Sequence, residues 1–307
     1  MQNIETKSEQ KDEDRIMELN FGRVEGLPPE EQQWLQELKY IYDYHRSANR
    51  KKRRYYNGKV TLNEVNLGIA LPAGLGKLEI GCAWGAKTVD VLAGRSMFDG
   101  FVTENGTKSE DMDQIMKRNH LIAEYNKAVK EELKYGCAFA AVSGEEDDAR
   151  VRFYSPHCAA ASWNAHEGRI RYGFAFEDAR RDESDVTWSP EHVNFYTDTD
   201  IWELDRIGGT WYATQNPHDF GEPLMVALIW DATNDKPFGQ SRLKEPVRRL
   251  IQGYVRTVAN ATIGLEFATS PQKYLLGVSD EQYDMLIDNK FKQYVGSILY
   301  STNNPET

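Results

Sequence analysis

At 307 residues, 40% of them hydrophobic and 11% aromatic, the chain can bury one or two sizeable cores and is not an unfolded polymer. Its formal net charge of −11 argues against a surface that grips nucleic acid through many phosphates. Three widely spaced cysteines without a CxxC pair, a polar start and no apolar run near the ~18 residues that span a bilayer lead to the expectation of a soluble protein made in a reducing cytoplasm.

Residues 1–15 are charged and lack an apolar period, and the stretch to residue 27 reads as a disordered leader. Residues 28–56 read as a helix. Two prolines and acidic residues suit its start, and Trp34, Leu35, Leu38, Ile41, Tyr42, His45 and Ala48 recur at steps of three and four. Its end carries KKRRYYNG (51–58), where cations complement the helix dipole and Gly58 can close the last turn. Residues 59–80 are weakly patterned, and 85–106 start as a short helix over Val89, Val91 and Leu92 and end as a strand around Phe101 and Val102. Residues 110–136 predict one amphipathic helix through Met112, Ile115, Met116, Leu121, Ile122, Tyr125, Val129 and Leu133. From 137 to 230 the period changes to two, which predicts an antiparallel β-rich block.

The turn NDKPFGQSRL (234–243) leads into the longest helix, with apolar residues at 243, 247, 250, 251, 254, 258, 261, 265 and 268. Pro246 falls in or near its first turn, and Pro271 marks its end. QKYLLG then reads as a strand, SDEQ (279–282) as a capping box that opens a helix to about Tyr294, and VGSILYS as a second strand. The chain stops at TNNPET, so this last strand looks like half of a hairpin.

No motif in this order predicts an enzyme. GLGK (74–77) lacks both the leading glycine and the trailing Ser/Thr of a phosphate loop, and reads as a glycine-rich turn. His157 and Cys158 are adjacent, so on a strand they would point to opposite faces, and with His166 they make no set at zinc spacing. No metal or cofactor is therefore expected. GxSxG and HExxH are absent. The acidic runs GEEDDAR and RRDESD read as solvated turns, and DTDIWELD lacks the glycine and terminal glutamate of a calcium loop.

Two basic features are candidates for contact. Arg242, Arg249 and Arg256 share a seven-residue spacing on the long helix, with Lys244 and Arg248 near them. The plain reading is a solvated flank; the functional one is a stripe that meets a neighbouring subunit's acidic groups or a passing phosphate backbone. With Leu243, Leu250 and Tyr254 these arginines are the candidates for a subunit-interface or channel surface. Lys51, Lys52, Arg53 and Arg54 form the second feature, a solvated helix end or, alternatively, a nucleic-acid grip.

Taken in order, these segments resemble the portal proteins of tailed bacteriophages, in the branch found in long-tailed phages of Gram-positive hosts. RRYYNG is similar to the family's Arg-rich stretch followed by Tyr-Tyr-x-Gly, and WGAKTVDVLAGRSMFDGF (84–101) to its Trp, Val-Asp, Leu-Ala-x-Arg and Gly-Phe segment. The strongest likeness is residues 223–277, where a Pro-aliphatic strand leads to FGQSRL, a long helix and ATSPQKYLLG. The resemblance implies an α+β, portal-type subunit: a mixed helix and β wing (28–235), a first stem helix (236–270) and a partial α/β clip (271–307) that stops before the second stem helix and crown.

It further implies a structural subunit of a homo-oligomeric ring, typically of twelve copies, around a channel for double-stranded DNA at a capsid vertex, serving genome packaging, ejection and head-tail joining. Partners would be the terminase large subunit, capsid and scaffold proteins and head-tail adaptor proteins, in the virion and, before assembly, the host cytoplasm, with no membrane and no cofactor. In that setting Tyr55 and Tyr56 are expected to pack, and the four cations to face solvent or a neighbouring acidic subunit. The alternative is a nucleic-acid-binding adaptor that uses the basic block 46–54.

Overall fold

In chain order the elements begin with β1 (Ile16–Met17), β2 (Val24–Glu25), α1 (Pro29–Tyr56), β3 (Lys59–Thr61), β4 (Glu79–Gly81), α2 (Trp84–Ala93), α3 (Glu110–Arg118) and α4 (Leu121–Tyr135). There follow β5 (Cys137–Ser143), β6 (Arg150–Tyr154), β7 (Ala159–Asn164), β8 (Arg169–Ala175), β9 (Ala179–Arg181), β10 (Thr187–Pro190), β11 (His192–Tyr196), β12 (Asp200–Ile207), β13 (Thr210–Pro217) and β14 (Met225–Ile229). Helix α5 (Glu245–Thr269) and strands β15 (Tyr274–Leu276) and β16 (Leu299–Ser301) complete the order. This computed structural model describes residues 16–17, 19–61, 79–102, 105, 110–144, 149–177, 179–181, 187–269, 274–276, 279 and 299–301. The GLGK turn and the helix expected after residue 279 lie outside them.

The chain divides into two compact units, one of Met1–Arg53 with Lys87–Lys244 and one of Arg54–Ala86 with Glu245–Thr307. In the first, the period-two block forms a six-stranded sheet in the order β2-β13-β12-β11-β8-β7, antiparallel except where β2 runs parallel to β13. A three-stranded sheet, β14-β5-β6, is antiparallel throughout.

Alternation along the strands sends side chains to both faces of the large sheet. On one face Ala160, Tyr172, Phe174, Phe195, Trp202 and Leu204 pack with Leu35, Leu38 and Tyr42 of α1. On the other, Ala159, Ala161, Ile170, Ala175 and Tyr196 pack with Phe139 and Ala141 of β5 and Met225 of β14. The result is a layered core of helix, large sheet and small sheet. Each fully buried aromatic in it contributes about 1.5–3 kcal/mol by removal from water.

Residues 19–27 depart from the leader expected through residue 27. Leu19, Phe21 and Val24 join the core beneath α1. The Trp211 indole N–H donates to the Asn20 carbonyl at 2.9 Å, and the Val24 N–H donates to the Gln32 side chain at 2.9 Å. Four apolar residues in nine, Leu27 included, give no regular period, but a strand only two residues long needs none.

The helix expected over 110–136 is two helices. His120 takes a left-handed φ of 50° and separates α3 from α4. Asn119 fixes the corner: its Nδ2 donates to the Ile115 and Ala149 carbonyls at 3.0 and 2.9 Å, and its Oδ1 accepts from the Val151 N–H at 3.1 Å. Val102, expected in a strand, forms a single bridge.

In the second unit, α5 starts at Glu245, so Pro246 lies in its first turn, where a missing N–H costs nothing. Its buried row is Ile251, Val255 and Ala259. The strands β15 and β16 pair parallel, Tyr274 opposite Leu299 and Leu276 opposite Ser301.

Candidate functional site

The basic end of α1 belongs to a joint that the sequence did not announce. Lys51 is exposed. Lys52 is half-buried, and its Nζ donates to the Tyr135 carbonyl at 2.8 Å and to the Asn49 side chain at 3.4 Å. Lys52 thus bonds a backbone carbonyl of its own chain, where the sequence expectation had all four cations facing solvent or a neighbouring acidic subunit. Arg53 and Arg54 are half-buried. Tyr55 is buried as expected, and its hydroxyl accepts a hydrogen bond from Gln252 Nε2 at 2.6 Å. Tyr56 is half-buried, and Gly58, at φ 71°, ends the run in the left-handed region.

The partner of Lys52 is the C-terminus of α4, whose last carbonyls have no acceptor role inside the helix. Each finds a donor. Glu132 O accepts the Gly136 N–H at 2.7 Å, and Leu133 O accepts the Arg242 N–H at 2.8 Å. Lys134 O accepts the Ser241 hydroxyl, and Tyr135 O accepts Lys52 Nζ. Beyond the helix, Gly136 O accepts the Trp230 N–H at 2.9 Å.

The basic stretch KKRRYYNG and the turn FGQSRL thus converge on one helix end. The approach is close enough to require glycine. A Cβ on Gly239, whose φ is 71°, would lie 2.2 Å from the Trp230 carbonyl oxygen and 2.7 Å from that of Gly136.

Cations around this end complement the negative pole of α4. They also act on His157, whose ring meets that of Tyr135 edge-on at 4.9 Å. Burial, then Arg53, Lys134, Arg50 and Lys52, push its pKa down to about 3, so it is neutral at physiological pH. Its Nε2 is buried without a hydrogen-bond partner.

Burial likewise pushes the Cys137 thiol up to about 12, with Lys52 opposing, and the Cys158 thiol up to about 11. A cavity of about 140 Å³ beside the joint is lined by Tyr42, His45, Asn49, Lys52, Tyr135 and Cys137. His157 and Cys158 sit in a turn rather than a strand. Among the described residues no group of three or more His, Cys, Asp or Glu is placed to hold a metal ion. The joint holds elements together, and burial keeps its two thiols protonated.

The long-helix candidates separate. Arg242 and Leu243 precede α5. The Arg242 guanidinium lies 5.9 Å from the centre of the Trp230 ring, and Leu243 is 0% exposed, so it offers no surface to a neighbour. Lys244 pairs with Asp231. On α5, Arg249 pairs with Glu245 at 2.7 Å on an exposed face, Arg256 is exposed, and Tyr254 packs on Trp84 with ring centres 5.1 Å apart. Leu250 is 66% exposed and is the apolar candidate turned outward. The residues that sequence reasoning missed are Ser241, Gly239 and Asn119, polar or small residues whose only signal was their place in a turn.

The profile of the family described as phage portal protein, SPP1 Gp6-like, matches residues 35–228. No curated protein matches the chain.

Proposed function

The chain belongs to the SPP1 Gp6-like phage portal protein family, and from that premise we propose that its copies form the ring that channels double-stranded DNA at a capsid vertex. Membership itself carries a structural rather than enzymatic role, a homo-oligomeric ring and association with the capsid of the virion. The finer reading adds packaging and ejection of the genome through the channel and joining of head to tail. It also adds twelve subunits and contacts with the terminase large subunit, scaffold and head-tail adaptor proteins.

In this reading residues 28–235 are the wing, α5 is the first stem helix, and the segment after it is part of the clip. The observation that carries the proposal is the match over 35–228, which takes in most of α1 and every strand from β3 to β13. The stem and clip lie beyond the matched residues and rest on the likeness of 223–277 noted above.

Chemistry is compatible with the role. A channel must let a polyanion slide, and each neutralised phosphate adds affinity that would hold it. A net charge of −11 avoids that trap. The adaptor alternative draws on the block 46–54, but Lys52 is tied to the Tyr135 carbonyl and Arg46 lies 3.6 Å from Asp43.

Negative-stain imaging of the purified protein tests the proposal. Annular particles are the expected result; a strictly monomeric species at high concentration would count against the ring.

A further inference from the structure

The small sheet β14-β5-β6 has two edges, and the chain treats them differently. On β6 the outward N–H of Val151 is taken by Asn119 Oδ1 at 3.1 Å, and the adjoining Ala149 carbonyl by Asn119 Nδ2 at 2.9 Å. A side chain from the α3–α4 corner thus occupies that edge. Edge strands left open recruit other strands, and covering them is a common defence.

On β14 no such cover exists among the described residues. Its ladder with β5 is bracketed by Val142 N–H to Leu224 O and Trp230 N–H to Gly136 O, both 2.9 Å. Leu224, Val226, Leu228 and Trp230 therefore turn their backbone groups toward β5. Met225, Ala227 and Ile229, of opposite parity, turn theirs outward. No backbone bond among the described residues takes them up.

The strand reads MVALI, with no charge, no proline and no bulge to discourage pairing. A groove of about 180 Å³ runs beside it, lined by the apolar Trp163, Ile170, Met225 and Ile229 and by the charged Arg169 and Glu222. Val226 stands 61% exposed on the same strand. An open ladder next to a groove with an apolar floor and a charged pair is what strand addition uses: main-chain bonds supply affinity, and the groove takes alternate side chains.

We propose that the β14 edge docks a strand from a second copy of this chain. The inference rests on the ring reading above, which makes identical copies the standing neighbours. A ring closes through heterologous contacts, in which a patch on one copy meets a different patch on the next. One covered and one open edge on the same sheet give such an asymmetric surface. Pairing of β14 with β14 would instead be two-fold and stop at a dimer.

Ala227→Pro tests the edge, because it deletes an outward N–H and no ladder bond, the position where an edge strand tolerates proline. Val226→Lys places a charge on the exposed side of the strand. Sedimentation velocity across a concentration series reads assembly, and thermal melting of dilute protein reads folding. Both variants are expected to melt as the parent does and to need at least about tenfold more protein to assemble, the equivalent of ~1.4 kcal/mol of contact.

Assembly of both folded variants at the parent's concentration overturns the docking edge while the ring stands. If Ala227→Pro melts lower, Val226→Lys decides. A parent that never assembles overturns the ring reading and this inference with it, and that failure is visible without any variant.

Discussion

At the end of α4 the Lys52 ammonium lies 2.8 Å from the Tyr135 carbonyl oxygen, where an unmet acceptor and the helix dipole both favour a cation. Replacing it with Met keeps most of the stem and removes the donor. Lys52→Met should cost about 1–2 kcal/mol in a urea melt, whereas Lys51→Met on the exposed turn should stay within about 0.5 kcal/mol; equal effects would contradict the cap. His157 gives a second residue-scale test. Unfolded, it takes up a proton near 6.5; folded, burial and the surrounding Arg53, Lys134, Arg50 and Lys52 delay that to about 3. Between those values the unfolded chain binds more protons, so stability is full above pH 6.5 and falls as the pH drops toward 3. The slope from this group is at most about 1.4 kcal/mol per pH unit. His157→Phe keeps a ring against Tyr135 and should flatten that part of the profile. Urea midpoints with an unchanged pH dependence between 6.5 and 4 would exclude His157 as the cause.

The elements themselves show what an apolar period can and cannot reveal. Helix α1, the period-two block and α5 were legible because long runs of side chains repeat at 3.6 or 2.0 residues. The break between α3 and α4 was not, because Met116 and Leu121 are both buried on either side of it and the pattern runs through. What breaks the helix is the left-handed backbone at His120, held by three hydrogen bonds from Asn119. Asn119→Ala should therefore cost about 1–3 kcal/mol, since it leaves the Val151 amide and the Ala149 carbonyl without partners. The loss should appear as faster hydrogen exchange at the Val151 amide; full protection there would mean that Asn119 does not hold the edge. On α5 the period found the helix but not the buried row. Ile251, Val255 and Ala259 went inside, while Leu250 and Leu265, also apolar and also periodic, are each 66% exposed. Two apolar rows on one helix look alike in sequence, and only the structure shows which of them is buried. The joint at α4 was illegible for a related reason: Lys52, Ser241 and Gly239 matter through backbone groups that lie far from them in sequence.

For the whole molecule, the order of weak motifs pointed to the family, and the match over 35–228 establishes it. No single motif could, because a ring subunit has no reacting atom to enforce a signature. What must be specified is surface, and surface residues carry little periodic information. Leu250 is a case in point. Exposed leucines are common and need no explanation singly. Here, however, it follows Arg249, whose pair with Glu245 joins side chains that are 75% and 62% exposed and adds little to the fold. Among the described residues the Leu250 side chain thus has little packing, whereas a stem helix in a ring would meet a copy of itself or its neighbour's wing. Leu250→Asp separates these cases. If the turn is a free surface, the variant should melt within about 0.5 kcal/mol of the parent and assemble normally. If copies pack there, the melt of the dilute monomer stays the same but assembly weakens by at least about tenfold, since burying an unpaired carboxylate in a contact costs more than the ~1.4 kcal/mol that a tenfold change needs. We expect the second outcome. Combining Leu250→Asp with Val226→Lys should then weaken assembly by the product of the two single effects, as separate sites add in free energy. A combined loss no greater than the larger single loss would mean that the β14 edge and this turn of α5 act on the same contact.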